Sequence, residues 1–403
     1  MPIPPLRPLD TFPFEESNGQ KRVGIRDPLG VVEGILWVSP EAFLIAAHFD
    51  GQRDAKELAD IISVAAGQRV SAAIIEKVFD IFSKRGLLMD AVFHKAFENL
   101  REEFARTPAR AAAHAGSNYP EEPDEFRIRV GGILAEAWDQ PRDGGELLGL
   151  IAPHIDLERG MLTYAQAYGA MREIGKVDRF VILGTSHGPV SSLIVPTRKD
   201  YNTPLGPART DRAAVDRVAV ALGENAYDDE FAHKNEHSIE FQTIFLKLIH
   251  PNAEIVPLLC GSLRSIIEDH HSPAGVPEVE RAVEAVRAAL DDDKKTVIVA
   301  GADLAHVGPH FGGPKLSEEL LKHTEKGDRD ALDFAAARDA EGWYRSVASG
   351  GDPRNTCGLS PIYFLLRLLD RGQGQLLSYR RCESPEQCVT ISAMSFVDSP
   401  LAP

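Results

Sequence analysis

A chain of 403 residues with 43% hydrophobic content can bury a sizeable core and is long enough for two domains. Its formal charge of −16 argues against nucleic acid and anionic membrane as main partners, since both attract basic surfaces. No apolar run approaches the roughly 18 residues that cross a bilayer, and MPIPPLRPLDTF has no basic stretch followed by an apolar one, so no secretory signal is expected and the protein reads as cytoplasmic.

Residues 23–34 alternate well enough to predict a β-hairpin turning at Asp27-Pro28-Leu29-Gly30. Ser39 as cap and Pro40 at the first helical position predict a helix over 41–49, ended by Asp50-Gly51. Helices are also expected over 55–66 and 71–85, the second with Ile74, Val78 and Phe82 on one face, and Gly86-Leu87-Leu88-Met89 is expected to close the unit as a strand. An amphipathic helix over 90–106 leads into RTPARAAAHAGSNYPEEPDE, rich in Pro, Ala and acid. The domain boundary is placed there, dividing 1–106 from 107–403. Helices followed by a short strand predict a small winged-helix-like domain; a plain helical cap on the main domain is the other reading.

From about residue 125, short β-rich apolar runs (147–152, 180–183, 193–196, 254–259, 296–300) alternate with helical stretches (160–174, 211–222, 236–249, 277–291, 315–336, 359–370). Such alternation predicts an α/β domain around a buried, mostly parallel sheet, with 375–381 and 388–397 adding antiparallel strands.

In open α/β sheets, functional groups collect beyond the carboxyl ends of the strands. Three such exits carry histidine: Pro153-His154-Ile155-Asp156, Thr185-Ser186-His187-Gly188-Pro189, and the segment from Asp303 to His306 before Val307-Gly308-Pro309. A single strand-end histidine is usually scaffold or surface. Three at equivalent positions, each bracketed by Gly or Pro, point to convergence on one site. Neutral imidazole is the commonest transition-metal ligand, and two of them leave a metal under-coordinated. Cys357, in NTCGLSP, has the best setting for a third ligand. With Ser360 as cap and Pro361 as first helical residue, its thiol would lie near a helix N-terminus, where the dipole favours thiolate. A buried structural thiol is the other reading. Cys260 reads as core, and Cys382 and Cys388 bracket an exposed loop over 383–387. In NEHSIE, Glu236 and Glu240 share a helix face. Glu236 either caps the helix or, with His237, forms a proton relay or second layer behind the site.

In family order, HAGSNYP (114–120), APHIDLERG (152–160), LGTSHGP (183–189), NEHSIEFQ (235–242), GADLAHVGP (301–309) and NTCG (355–358) resemble the Memo family, which includes the AmmeMemoRadiSam system protein B. That resemblance implies an α/β sandwich similar to class III extradiol dioxygenases. It also implies metal-binding positions at His154, His187 and Cys357, a pocket Asp and His at Asp303 and His306, and Glu236 and His237 lining the cleft. A role in acid/base chemistry for His306, oriented by Asp303, comes from the related dioxygenases. The N-terminal pattern from FDGQRDAKELADII to VFDIFSKRGLL resembles PqqD-like peptide-binding modules. The chain departs from the family where PHAGY, SHH and CGR are common, reading Pro153-His154-Ile155-Asp156-Leu157, Ser186-His187-Gly188 and Cys357-Gly358-Leu359, so relatives' substrates do not carry over.

The function expected is a metal-dependent redox enzyme or metal-handling protein, with Fe(II) first and copper or zinc as alternatives, acting on a small molecule or peptide. A thiolate in place of the dioxygenases' carboxylate means that dioxygenase chemistry does not follow from the fold. The other readings are a non-catalytic peptide- or partner-binding scaffold working with a radical-SAM protein, and a hydrolase. The hydrolase would use zinc-activated water or Cys357 as nucleophile with His306 as base.

Overall fold

In the computed structural model, residues 1–136, 145–172, 174–269 and 271–398 are described. The chain divides into two compact units, Met1–Arg106 and Thr107–Pro403.

The first unit opens with strands β1 (Asp10–Glu15), β2 (Lys21–Arg26) and β3 (Ile35–Val38), an antiparallel sheet in that order. Helices α1 (Pro40–Ala47), α2 (Ala55–Ala66), α3 (Ala72–Lys84) and α4 (Ala91–Arg106) follow. Local chemistry sets their starts: Ser39 accepts the Ala42 N–H ahead of Pro40, and Asp54 and Glu57 form a capping box. Ile25, Leu58, Ile62, Ile75, Phe82 and Leu87 fill the core. Buried Arg7 binds both carboxylate oxygens of Asp27 (3.2 and 2.9 Å) and lies over the Phe93 ring at 4.3 Å.

Two expectations for this unit need correction. The tight hairpin joins β1 to β2, one strand earlier than expected; the Asp27–Gly30 turn forms, but pairing resumes only at β3. Pro13 hides β1 from a periodicity reading, and it is tolerated because β1 is an edge strand. No strand forms over 86–89, where Leu88 makes only an isolated bridge to Leu6. The sheet therefore precedes the helices instead of following them.

The second unit runs β4 (Ala109–Arg110), α5 (Pro123–Ala135), β5 (Glu146–Ala152), α6 (Leu157–Gly169), β6 (Arg179–Thr185), β7 (Ile194–Pro196), β8 (Asp200–Tyr201), α7 (Arg212–Leu222) and α8 (His237–Ile249). It continues with β9 (Glu254–Cys260), α9 (Arg264–Glu268), α10 (Pro277–Ala288), β10 (Thr296–Gly301), β11 (His306–Val307), α11 (Glu318–Ala336), α12 (Ala340–Ala348), α13 (Leu359–Leu368), β12 (Gln373–Ser384) and β13 (Gln387–Asp398). The main sheet has the order β11-β13-β5-β10-β6-β9-β7, with β12 on β13. Strands β5, β10, β6 and β9 are parallel; β13 and β7 flank them antiparallel.

Helices cover both faces of this mixed α/β sheet, which is why its inner strands read as unbroken apolar runs. Along β6, Phe180 and Ile182 join the core cluster that includes residues of α5, α6 and α8, while Val181 and Leu183 join the one that includes residues of α7, α10 and α13. Helices α5 and α12 were not expected from periodicity. The first begins in the last three residues of the acid-rich stretch read as linker, and the second is short, starting at the Asp339 cap. Among the described residues no helix is long and apolar enough to cross a membrane.

Two glycines let α8 sit hard against the sheet. A Cβ on Gly184 would lie 2.6 Å from Ser238 Oγ, and one on Gly301 would lie 2.5 Å from the Ser238 carbonyl oxygen. The start of α8 is thereby pressed onto the carboxyl ends of β6 and β10.

Candidate metal centre

Register explains how distant residues meet. Strands β5, β10 and β6 are neighbours, with Gly301 opposite both Ala152 and Gly184. The residues just beyond those positions include His154, Asp303 and His187. The start of α8 adds Glu236 and His237, and the loop before α13 adds Cys357.

His154, His187 and Cys357 come together: one ligand atom from each lies within 4.8 Å of the other two. His154 is buried, its Nδ1 donates to the Gly301 carbonyl at 2.9 Å, and its Nε2 stands 3.4 Å from Cys357 Sγ. His187 is the exposed member, and its Nδ1 donates to the Glu236 carboxylate at 3.0 and 3.1 Å. Both rings therefore carry the proton on Nδ1 and keep Nε2 as the lone-pair nitrogen, the arrangement that partners behind a metal-binding histidine impose. Ligand atoms around a four-coordinate ion with bonds of 2.0–2.3 Å are about 3.5 Å apart. The 3.4 Å between His154 Nε2 and Cys357 Sγ fits that spacing.

The electrostatics favour the ligating form at His154 and oppose it at His187 and Cys357. Burial, with His187 nearby, pushes the His154 pKa down to about 3, so the ring is the neutral ligand form. Around His187 the protein works against charge, yet Glu236 outweighs it and raises the pKa. Burial also opposes the charge of Glu236, but His187 and His237 hold its pKa well below the usual carboxylate range. His237 is pushed down to about 3 by burial against the pull of Glu236; its ring stacks on His187 at 4.7 Å, 19° from parallel. Glu236 caps α8 through the Ser238 N–H while its other oxygen accepts the His187 N–H.

For Cys357 the expected cap differs. Gly358 occupies the N-cap of α13, while Ser360 Oγ accepts the Leu263 N–H. Burial and then Asp303 hold the thiol pKa well above its ordinary value, opposite to the lowering expected from the helix dipole. Without a cation at the sulfur, low dielectric and a neighbouring carboxylate outweigh the dipole.

His306 also differs. Its Nδ1 bonds to Leu304 O (3.2 Å) and its ring meets Phe311 edge-on, so Asp303 does not orient it by a hydrogen bond. Asp303 Oδ1 is taken by the N–H groups of His154 and Ile155, at 2.8 and 3.2 Å. Asp303 thus anchors the His154 turn.

The Cys357 loop is tied down from behind. Cys357 N–H donates to Leu304 O, and Arg354 O accepts from His306 N–H. The Arg354 side chain reaches buried Asp328 at 2.9 Å, which also accepts from Tyr379 and Thr390 at 3.0 and 2.6 Å. Burial still raises the Asp328 pKa from 3.8 to about 6. A raised acid pKa means that the folded state holds the proton more tightly. This contribution to stability is therefore greatest below pH about 4, falls as pH rises from about 4 to 6, and levels off above; the full change is about 3 kcal/mol. Thermal melts of wild type and Asp328→Asn over this range are expected to diverge, with the wild type losing stability relative to the variant as pH rises. Parallel curves would remove this explanation.

Several groups escaped the sequence reading. Arg110 is buried and donates to the carbonyls of His233 and Glu236, at 2.6 and 2.7 Å. The Tyr164 hydroxyl holds Ile155 O, and Gln242 Nε2 holds Pro153 O at 3.0 Å. His114 approaches His237 to 5.7 Å. HAGSNYP and NEHSIEFQ contain two of these residues, His114 and Gln242, but do not disclose their contacts. Cys260 is core, as expected; Cys382 and Cys388 are themselves buried beside the exposed loop residues between them.

Residues 110–396 match the family described as Memo-like protein. A MEMO1 family protein of Aquifex aeolicus is 27% identical over 381 residues, covering 93% of this chain and 94% of the relative, so the similarity extends into Met1–Arg106. One from Thermus thermophilus is 26% identical over 328 residues (81% and 94%), and one from Pyrococcus abyssi 33% over 292 residues (67% and 91%). With that span matched and the strand-exit segments gathered at one end of the sheet, the chain belongs to the Memo-like protein family.

Proposed function

We propose that this chain is a metal-binding redox protein whose His154 Nε2, His187 Nε2 and Cys357 Sγ hold one non-haem ion, with Fe(II) preferred over copper and zinc. The observation that carries the reading is the donor set itself: two imidazoles with Nδ1 tied back and a thiol 3.4 Å from one of them. An ion bound there supplies Lewis acidity and open coordination positions, and iron or copper adds electron transfer.

The remaining roles belong to the chain's own residues. Asp303 and Gly301 hold the His154 turn and ring in place, and Glu236 orients His187. His237, stacked on His187 and 3.3 Å from Glu236, would hold or pass a proton at the cleft edge, and His306, which feels the charge of Asp303, would be a second such group. Metal analysis of anaerobically purified protein is expected to find about one equivalent of iron or copper, lost in His154→Ala/Cys357→Ala. No metal in the wild type, even after reconstitution with Fe(II), Cu(I) and Zn(II), would sink the reading.

A further inference from the structure

A cleft of about 240 Å³ lies beside the proposed metal centre, lined by His187 and Cys357 and also by Ser262, Arg264 and Ser360. Its hydrogen-bond inventory shows what it can accept. Ser262 Oγ accepts the Arg264 N–H (3.1 Å), and Ser360 Oγ accepts the Leu263 N–H (3.2 Å). Each hydroxyl therefore already serves as a backbone acceptor and has its own proton left to donate. Arg264 adds a guanidinium fork; the carboxylate in ion-pair range is Glu268, 3.6 Å away on the same short helix. The lining also contains an acid, Asp352, but both of its oxygens accept from the Thr356 N–H, at 3.2 and 2.9 Å. The two hydroxyl protons and the Arg264 fork therefore remain as donors for an occupant that brings oxygen acceptors. The planar fork of arginine matches a carboxylate.

We propose that this cleft binds a small monocarboxylate, its anionic end on Arg264 and the hydroxyls of Ser262 and Ser360, with the remainder lying against His187 and Cys357. The inference deepens the proposed function, because the metal reading determines what the ligand's other end meets.

Calorimetric titration with glycolate tests it, using metal-free and Fe(II)-loaded protein and inorganic phosphate and glycerol as comparison solutes. Glycolate is expected to bind the loaded protein at least tenfold more tightly than either comparison solute. Arg264→Gln should weaken glycolate binding at least tenfold, and Arg264→Lys should recover part of the loss by keeping the charge without the fork. Melting curves check the fold of each variant, and Ser262→Ala gives an independent, smaller loss. Glycolate binding that is absent from both protein forms, unchanged in a folded Arg264→Gln, or weaker than phosphate binding would overturn the assignment. Metal content of the same samples keeps the two readings separable. Glycolate held through Arg264 by protein that takes up no metal would sink the metal reading and leave the cleft assignment standing.

Discussion

Truncating Arg110 to alanine is expected to destabilise the Thr107–Pro403 unit by about 3–5 kcal/mol, the range for removing one partner of a buried ion pair. Arg110 has no exposed side-chain surface and faces Glu240 Oε2 at 2.6 Å. That contact is ionic and outside directed hydrogen-bond geometry, since Oε2 has no hydrogen-bond partner while Oε1 accepts from Tyr119 and the His114 N–H. The same Nη1 donates to the Ala111 carbonyl, Nε and Nη2 donate to those of His233 and Glu236, and the guanidinium lies over the Tyr201 ring at 4.8 Å. Alanine would leave Glu240 as an uncompensated charge in low dielectric and orphan three carbonyls. Arg110→Lys should recover only part of the stability, because an ammonium cannot point in all these directions at once. Urea unfolding of this unit provides the measurement, and a loss below about 1 kcal/mol would show that the network is not a structural anchor.

Glu236→Ala is expected to weaken metal binding by about 10–100-fold, the usual cost of removing the partner behind a ligating histidine. Its carboxylate accepts His187 Nδ1–H and the His187 N–H, lies 3.3 Å from His237 Nδ1 and caps α8. Glu236→Gln can keep the cap but not the charge, so it should fall between wild type and alanine. In metal-free Glu236→Gln, the His187 pKa should also drop, because the carboxylate is what raises it against its surroundings. Competition with a chelator reads the first effect and NMR titration of the imidazole the second. Unchanged affinity in Glu236→Ala would remove Glu236 from the metal-supporting role.

Glu236 and Arg110 also show where one-dimensional reading stops. His154, His187 and Asp303 stood out because each follows a short apolar run and sits among turn residues, a signal that survives without coordinates. The same chain shows His306 only as another strand-exit histidine. Its bond to Leu304 O and the use of Asp303 by the His154 turn depend on backbone directions that spacing does not encode.

By itself, the sequence determined the alternation of parallel strands and helices, the late antiparallel hairpin and most helix starts. These follow from apolar periodicity and from caps such as Ser39, Asp54, Asp211 and Ser317, which act within a few residues. Only the tertiary structure decided the strand order that brings β5, β10 and β6 side by side. It also decided the Arg110–Glu240 pair across 130 residues, the anchoring of the Cys357 loop by Asp328, and the cleft at Arg264. It reversed the sign expected for the Cys357 thiol as well, because its charge state responds to burial and to Asp303, distant in the chain, more strongly than to the adjacent helix end. Local propensities act along the chain, whereas ion pairs, proton affinities and clefts depend on which distant segments share a low-dielectric neighbourhood.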